Sequence, residues 1–151
     1  MGSDNLMRTI FILNGPNLNL LGQREPEIYG TTTLDEIRGW CEADAKEFGV
    51  AVDFRQSNFE GEIIEAIQAA RQKAAGIIIN PAGYTFTSVA ILDALKMFDG
   101  PKIELHISNV HSREEIYHKS LVSRTATAVM AGFGAYGYRL ALRAMVEMTR
   151  A

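Results

Sequence analysis

Between residues 103 and 117 the chain reads IELHISNVHSREEIY. Apolar Ile103, Leu105 and Ile107 alternate with Glu104, His106 and Ser108, and the run breaks at Asn109 into a polar loop. Alternate residues of a strand share a face, so Glu104, His106 and Ser108 should point the same way. A carboxylate two residues before a histidine can fix its tautomer and favour its charged form, the setting of a proton donor. The same pattern also fits a buried strand with a satisfied histidine. Other polar residues stand where strands should end: Asn14 and Asn17, Asn80, and Asn109. In open parallel α/β sheets these strand-end loops share one rim, where ligands bind. Each asparagine alone is equally a turn or cap residue; together with His106 and Ser108 they outline a site. The loop after Asn17 adds Arg24 and Tyr29, and the loop after the focal strand adds Arg113. A free tyrosine is only ~0.1% ionised at pH 7, and a neighbouring guanidinium favours its phenolate. Either arginine could serve. The chemistry these side chains suit is proton transfer on a small anionic molecule.

Composition excludes most other chemistry. Cys41 is the only cysteine and sits in a helical pattern, so neither a disulfide framework nor a thiolate metal site is expected. Gly132, Gly134 and Gly137 have dinucleotide-loop spacing but lack the acidic residue about 20 positions on. His106, His111 and His118 form no convincing metal set with a carboxylate cluster. A net charge of -3 without a basic run argues against nucleic acid as a partner. No apolar run approaches the ~20 residues of a membrane span, and no signal peptide precedes the first strand, so a cytoplasmic location is expected. Met1 to Asp4 resemble an appended tag, with Met7 as a natural start. Residues 1–8 therefore read as a tag or disordered start and 9–151 as a single domain.

The elements that must position these residues follow in order. TIFILN, residues 9–14, is a fully apolar strand of the kind a doubly covered sheet needs. Residues 17–33 show no sustained period and form a candidate lid. Thr33 with Glu36 makes a capping box for a helix bearing Ile37, Trp40, Cys41 and Phe48, stopped by Gly49. A strand over 50–56 leads to a helix with Ile63, Ile64, Ile67 and Ala70, then to a buried strand over Gly76–Asn80. Thr85 or Thr87 should open a helix with Ile91, Leu92, Leu95 and Phe98, stopped at Gly100-Pro101. After the focal strand and its loop, residues 125–131 form the last strand, and Tyr138, Leu142 and Met145 mark a C-terminal helix. Strands alternating with helices imply right-handed crossovers and a parallel sheet. The fold class expected is α/β, a flavodoxin-like three-layer sandwich with five parallel strands.

With these segments in place, the chain resembles the type II 3-dehydroquinate dehydratases from about Thr9 to the last helix. The blocks that carry the likeness are NGPNL from Asn14, REPEIYG from Arg24, RQSN from Arg55, NPAGYT from Asn80, TSVA from Thr87, DAL from Asp93 and ELHISNVHSREE from Glu104. The resemblance implies a cofactor-free hydro-lyase that converts 3-dehydroquinate to 3-dehydroshikimate and water. Aromatic biosynthesis and quinate catabolism both use this reaction. Residue by residue, Tyr29 matches the base that takes a proton α to the ketone, and Asn17 the residue holding a water against the enolate. His106 matches the acid that protonates the departing hydroxyl, and Glu104 the residue that orients it. Arg24 matches the lid arginine that activates the tyrosine, and Arg113 an arginine of the site. Asn80 and the backbone N–H groups of Ile107 and Ser108 match the cradle of the substrate carboxylate. Members of the family are typically homododecamers in which the residue matching Asp93 reaches a neighbour's site.

Two positions depart from the family pattern. Phe86 stands where a histidine is usual, and Tyr117 where an arginine is usual; both usual residues help to hold the ring hydroxyls. The set Asn17, Arg24, Tyr29, Glu104 and His106 is complete. Three readings remain open on sequence alone. The chain is the dehydratase, or a relative acting on another small cyclic hydroxy-keto carboxylate, or a non-catalytic ligand-binding or assembly protein.

Overall fold

The computed structural model describes residues 7–150. Most of the stretch 1–8 therefore lies outside the described residues. Arg8 is tied in, its carbonyl accepting from Ala51 N at 2.8 Å and its Nη1 donating to Val146 O at 3.3 Å. The strands are β1 (Thr9–Asn14), β2 (Ala51–Gln56), β3 (Gly76–Asn80), β4 (Lys102–His106) and β5 (Ala128–Ala131). The helices are α1 (Pro26–Tyr29), α2 (Leu34–Phe48), α3 (Glu60–Lys73), α4 (Val89–Lys96) and α5 (Gly137–Met148). All strand pairs are parallel, in the order β2-β1-β3-β4-β5, which is the flavodoxin-like arrangement expected.

Alternation along the strands builds two cores, one on each face of the sheet. Ile10, Ile12, Ile78, Ile103 and Leu105 pack against Ile37 and Cys41 of α2 and Leu142 and Met145 of α5. Their neighbours Phe11, Leu13, Ile77 and Ile79 pack against Ile63 and Ile67 of α3 and Ile91 and Leu95 of α4. Because both faces are covered, the central strands are apolar at consecutive positions rather than alternately polar. Register then aligns the strand ends: Asn14 is level with Gln56 and with Asn80. A Cβ at Gly15 would lie 2.4 Å from Pro81 O, so glycine is what lets the loops after β1 and β3 approach this closely.

Several boundaries differ from expectation for local reasons. The capping box at Thr33 and the left-handed Gly49 stop bound α2 as the sequence suggests. The cap of α4, however, is Ser88, whose hydroxyl accepts from Ile91 N at 2.9 Å. Thr85 lies inside a 3-10 turn over Ala82–Phe86 and Thr87 ends that turn. Phe98 lies beyond the end of α4, although it is buried as expected. β4 ends at His106, leaving Ser108 in a bend. β5 begins at Ala128, because a 3-10 turn over Val122–Arg124 takes up Thr125 N in a bond to Val122 O. The segment read as an unbroken lid holds a 3-10 turn, Leu18–Leu20, and the one-turn helix α1.

Candidate active site

A cavity of ≈ 180 Å³ opens at the carboxyl ends of β1, β3 and β4. Its lining includes Asn17, Arg24, Tyr29, Asn80, Phe86, His106, Ile107, Ser108, Arg113 and Tyr117, which the sequence singled out. Pro16, Leu18, Leu21, Ala82, Gly83 and Val110 complete the wall. Among the described residues, three non-glycine residues have positive φ: Asn17 at 71°, Glu25 at 36° and Ala82 at 53°. Asn17 and Ala82 line the cavity, and Glu25 stands between Arg24 and α1. Such conformations cost ~1–3 kcal/mol each and cluster at functional sites.

The β4 side of the cavity is a buried acid–base pair. His106 Nε2 lies 2.5 Å from Glu104 Oε2, with side chains 6% and 1% exposed. Glu104 Oε1 accepts in turn from the Ser123 hydroxyl at 2.5 Å. Burial pushes the Glu104 carboxyl up, but hydrogen bonds from His106 and Ser123, the nearby imidazole charge and Ser120 outweigh it, holding the group below the usual carboxylate range. An ionised carboxylate only accepts, so Nε2 carries a proton and the other ring nitrogen, Nδ1, is left to exchange one with a bound molecule. The alternation that predicted this pair is borne out for Glu104 and His106, which turn away from the face of Ile103 and Leu105.

The opposite side is assembled from loops. Tyr29 ends α1, and Arg113 Nη1 donates to its hydroxyl at 3.0 Å. Arg24 lies over the Tyr29 ring, 4.9 Å from its centroid, and its guanidinium pairs with Glu25 at 2.7 Å. Of the two arginines the sequence offered as partners of the tyrosine, Arg113 bonds the hydroxyl and Arg24 covers the ring. Asn17 is held by its backbone N–H, which donates to Asn58 Oδ1 at 2.9 Å.

Asn80 is 4% exposed and locked in orientation. Its Oδ1 accepts from Ala82 N at 3.2 Å, and its Nδ2 donates to Tyr138 Oη at 3.0 Å. Tyr138 Oη donates to Asn14 Oδ1 at 2.6 Å, and Asn14 Nδ2 donates to Arg55 O at 3.0 Å. Burial pushes the Tyr138 phenol up, only partly offset by Asn80, so it keeps the proton this chain requires. An amide nitrogen has two N–H donors, so one of Asn80 remains for a bound anion.

Some expected members fall elsewhere. Asn14 is buried behind the site and holds Tyr138 and the β2 backbone rather than facing the cavity. Asn109 caps a turn through His111 N at 3.1 Å, the bland role its type allowed. Asp93 is exposed on α4 and does not line its own chain's cavity. Sequence reasoning missed Ser123, which reaches Glu104 from 19 residues away, and Tyr138, which reads as an ordinary apolar position of α5. Only the fold could reveal either contact.

Phe86 and Tyr117 both face the cavity. The Phe86 ring stacks on His106, with centroids 6.1 Å apart and planes 22° apart, and meets Tyr117 edge-on at 5.5 Å and 75°. The positions where the family pattern breaks thus form one aromatic wall beside His106.

Comparison with known proteins identifies the family of the chain. The family model "Dehydroquinase class II" matches residues 8–146. The 3-dehydroquinate dehydratase of Cereibacter sphaeroides is 60% identical over 140 residues, covering 93% of this chain and 95% of the relative. That of Phenylobacterium zucineum is 55% identical over 145 residues, covering 96% and 100%. The crystal structure of the type II dehydroquinase from Propionibacterium acnes superposes with a TM-score of 0.90 at 42% identity, covering 94% of this chain and 98% of that one. The chain belongs to the class II dehydroquinase family.

Proposed function

We propose that this chain is a 3-dehydroquinate dehydratase, a hydro-lyase that removes water from 3-dehydroquinate to give 3-dehydroshikimate. The observation that carries the reading is the placement of an arginine-bonded tyrosine and a carboxylate-bonded histidine on the wall of one cavity. In this reading Tyr29 is the base and takes the proton α to the ketone. The Arg113 guanidinium donates to its oxygen and orients it in the cavity. The electron pair left on carbon delocalises into the carbonyl as an enolate, which a water held by Asn17 stabilises. As the enolate collapses, the carbon–oxygen bond breaks and His106 gives the leaving hydroxyl its proton. Glu104 stabilises the imidazolium that supplies it. Asn80 and the N–H groups of Ile107 and Ser108 hold the substrate carboxylate through directed donors, which an acidic protein can provide without net positive charge. Arg24 closes over the base.

The reading uses residues 9–151 as one domain working in the cytoplasm without a cofactor. It extends to a homo-oligomer, dodecameric as is typical of the family, in which Asp93 from one subunit completes the site of a neighbour. The exposure of Asp93 on α4 leaves it free to do so. Size-exclusion chromatography with light scattering tests the assembly, and a monomer at micromolar concentration would remove it.

The activity is tested by incubating the purified protein with 3-dehydroquinate and following the ultraviolet absorbance of the conjugated enone. Rising absorbance that depends on protein concentration is expected. No turnover at high protein and substrate concentration would reject the reading.

A further inference from the structure

Tyr117 lines the cavity, and no step above uses it. The Arg113 guanidinium lies over its ring, with Cζ 4.2 Å from the centroid, the shortest such separation among the described residues. The same guanidinium lies 5.5 Å from the Tyr29 centroid and donates to the Tyr29 hydroxyl. Among the described residues no carboxylate comes within ion-pair distance of Arg113, so the two tyrosines are what orient it. Arginine is planar and stacks well on aromatic faces, so a ring on one side fixes where its N–H groups point on the other. The Tyr117 ring is itself braced edge-on by Phe86, and its backbone is held by a bond from Tyr117 N to Glu114 O at 2.9 Å. The backbone of Arg113 is anchored where its carbonyl meets His118 Nε2 at 2.7 Å. The Tyr117 hydroxyl makes no hydrogen bond among the described residues, so the ring face is the part in use.

We propose that Tyr117 is a positioning residue whose ring holds Arg113 on the hydroxyl of Tyr29. Arg113 follows the 3-10 turn Val110–Ser112 and Tyr117 ends the next one, Glu115–Tyr117, so the loop after β4 itself aims the arginine at its partner 84 positions away in sequence. The kinetic part of this inference rests on the dehydratase reading, and the spectroscopic part does not.

The test compares Tyr117→Leu, which removes the ring, with Tyr117→Phe, which keeps it. With tyrosine labelled at ¹³Cζ, the Tyr29 resonance is assigned by its loss in Tyr29→Phe. It should move in Tyr117→Leu in the same direction as in Arg113→Ala, and should stay near its wild-type position in Tyr117→Phe. In turnover of 3-dehydroquinate, Tyr117→Leu should lower kcat roughly 3- to 30-fold, the worth of one cation–π contact. Tyr117→Phe should recover most of that loss. In an Arg113→Ala background Tyr117→Leu should cost nothing further, as expected of residues that act through one another. If Leu does not fold, Tyr117→Met carries the same expectations. A wild type inactive on 3-dehydroquinate would refute the function while the resonance still decides the positioning. An unmoved Tyr29 resonance in Tyr117→Leu, or a Phe variant no better than Leu, or additive losses with Arg113→Ala, would overturn the proposal.

Discussion

The two sides of the cavity are built on different principles. On one side Glu104 and His106 are two residues apart on a central strand, almost wholly buried, and the strand alone brings them within 2.5 Å. On the other, Tyr29, Arg24 and Arg113 come from two loops and remain partly exposed; the Arg24 side chain is 37% exposed. His106 is therefore oriented by the sheet, and Tyr29 by the arginine side chains that contact it. A strand in a packed sheet opens only with the whole domain, whereas a one-turn helix and a surface turn can open locally.

The largest expected effect separates the two sides chemically. Tyr29→Phe keeps the ring under Arg24 and removes only the hydroxyl, so kcat for 3-dehydroquinate should fall ~10²- to 10⁴-fold with the melting temperature nearly unchanged. Survival of activity would remove the tyrosine as base. Glu104→Gln should act on the other side and on stability as well. The buried charge-assisted contact it weakens is worth ~1.5–3 kcal/mol, to be read from denaturant unfolding at neutral pH. The sign of its pH dependence follows from the depressed Glu104 carboxyl. Its contribution is present above the unfolded carboxylate value of about 4.3 and is lost as pH falls through the lower folded value. Wild type should accordingly lose stability on acidification more steeply than Glu104→Gln, and parallel acid limbs would contradict the assignment.

Smaller effects sharpen the contrast. Phe86→His puts a hydrogen-bonding ring on the aromatic wall while keeping its flat shape, and KM should fall by roughly 2- to 12-fold, the worth of one neutral hydrogen bond. A KM unchanged or raised would mean that this wall does not meet the substrate's hydroxyls. Arg24→Ala should change unfolding free energy by less than ~1 kcal/mol, because its pair with Glu25 is exposed to solvent and screened. Its effect should appear in turnover rather than in stability. A large loss of stability would show that the lid side is as integral to the fold as β4.

Which features could be read in advance follows from how far apart the partners are. The two faces of the sheet, the capping box at Thr33, the Gly49 stop and the Glu104–His106 pair all depend on neighbours within a few positions. Periodicity exposes such features directly. The helix α4 is capped by Ser88 rather than by Thr85 or Thr87, because hydroxyl residues of either kind can cap and the 3-10 turn over Ala82–Phe86 occupies the two threonines. The asparagines divide for a related reason. An amide at a strand end can face ligand, backbone or another side chain, and Asn14 and Asn109 satisfy the protein itself.

The amino-acid sequence by itself determined the layered parallel fold and the family. It also determined the pairing of histidine with carboxylate, since strand geometry makes residues two apart neighbours on one face. Tertiary structure decided what lies across long separations. It put Arg113 rather than Arg24 on the Tyr29 hydroxyl, Ser123 on Glu104, Tyr138 between Asn14 and Asn80, and Phe86 with Tyr117 in one wall. The physical reason is that a side chain's chemistry is local while its partner is chosen by packing. Several partners of equal type compete along the chain, and only the folded geometry brings one of them within 3 Å.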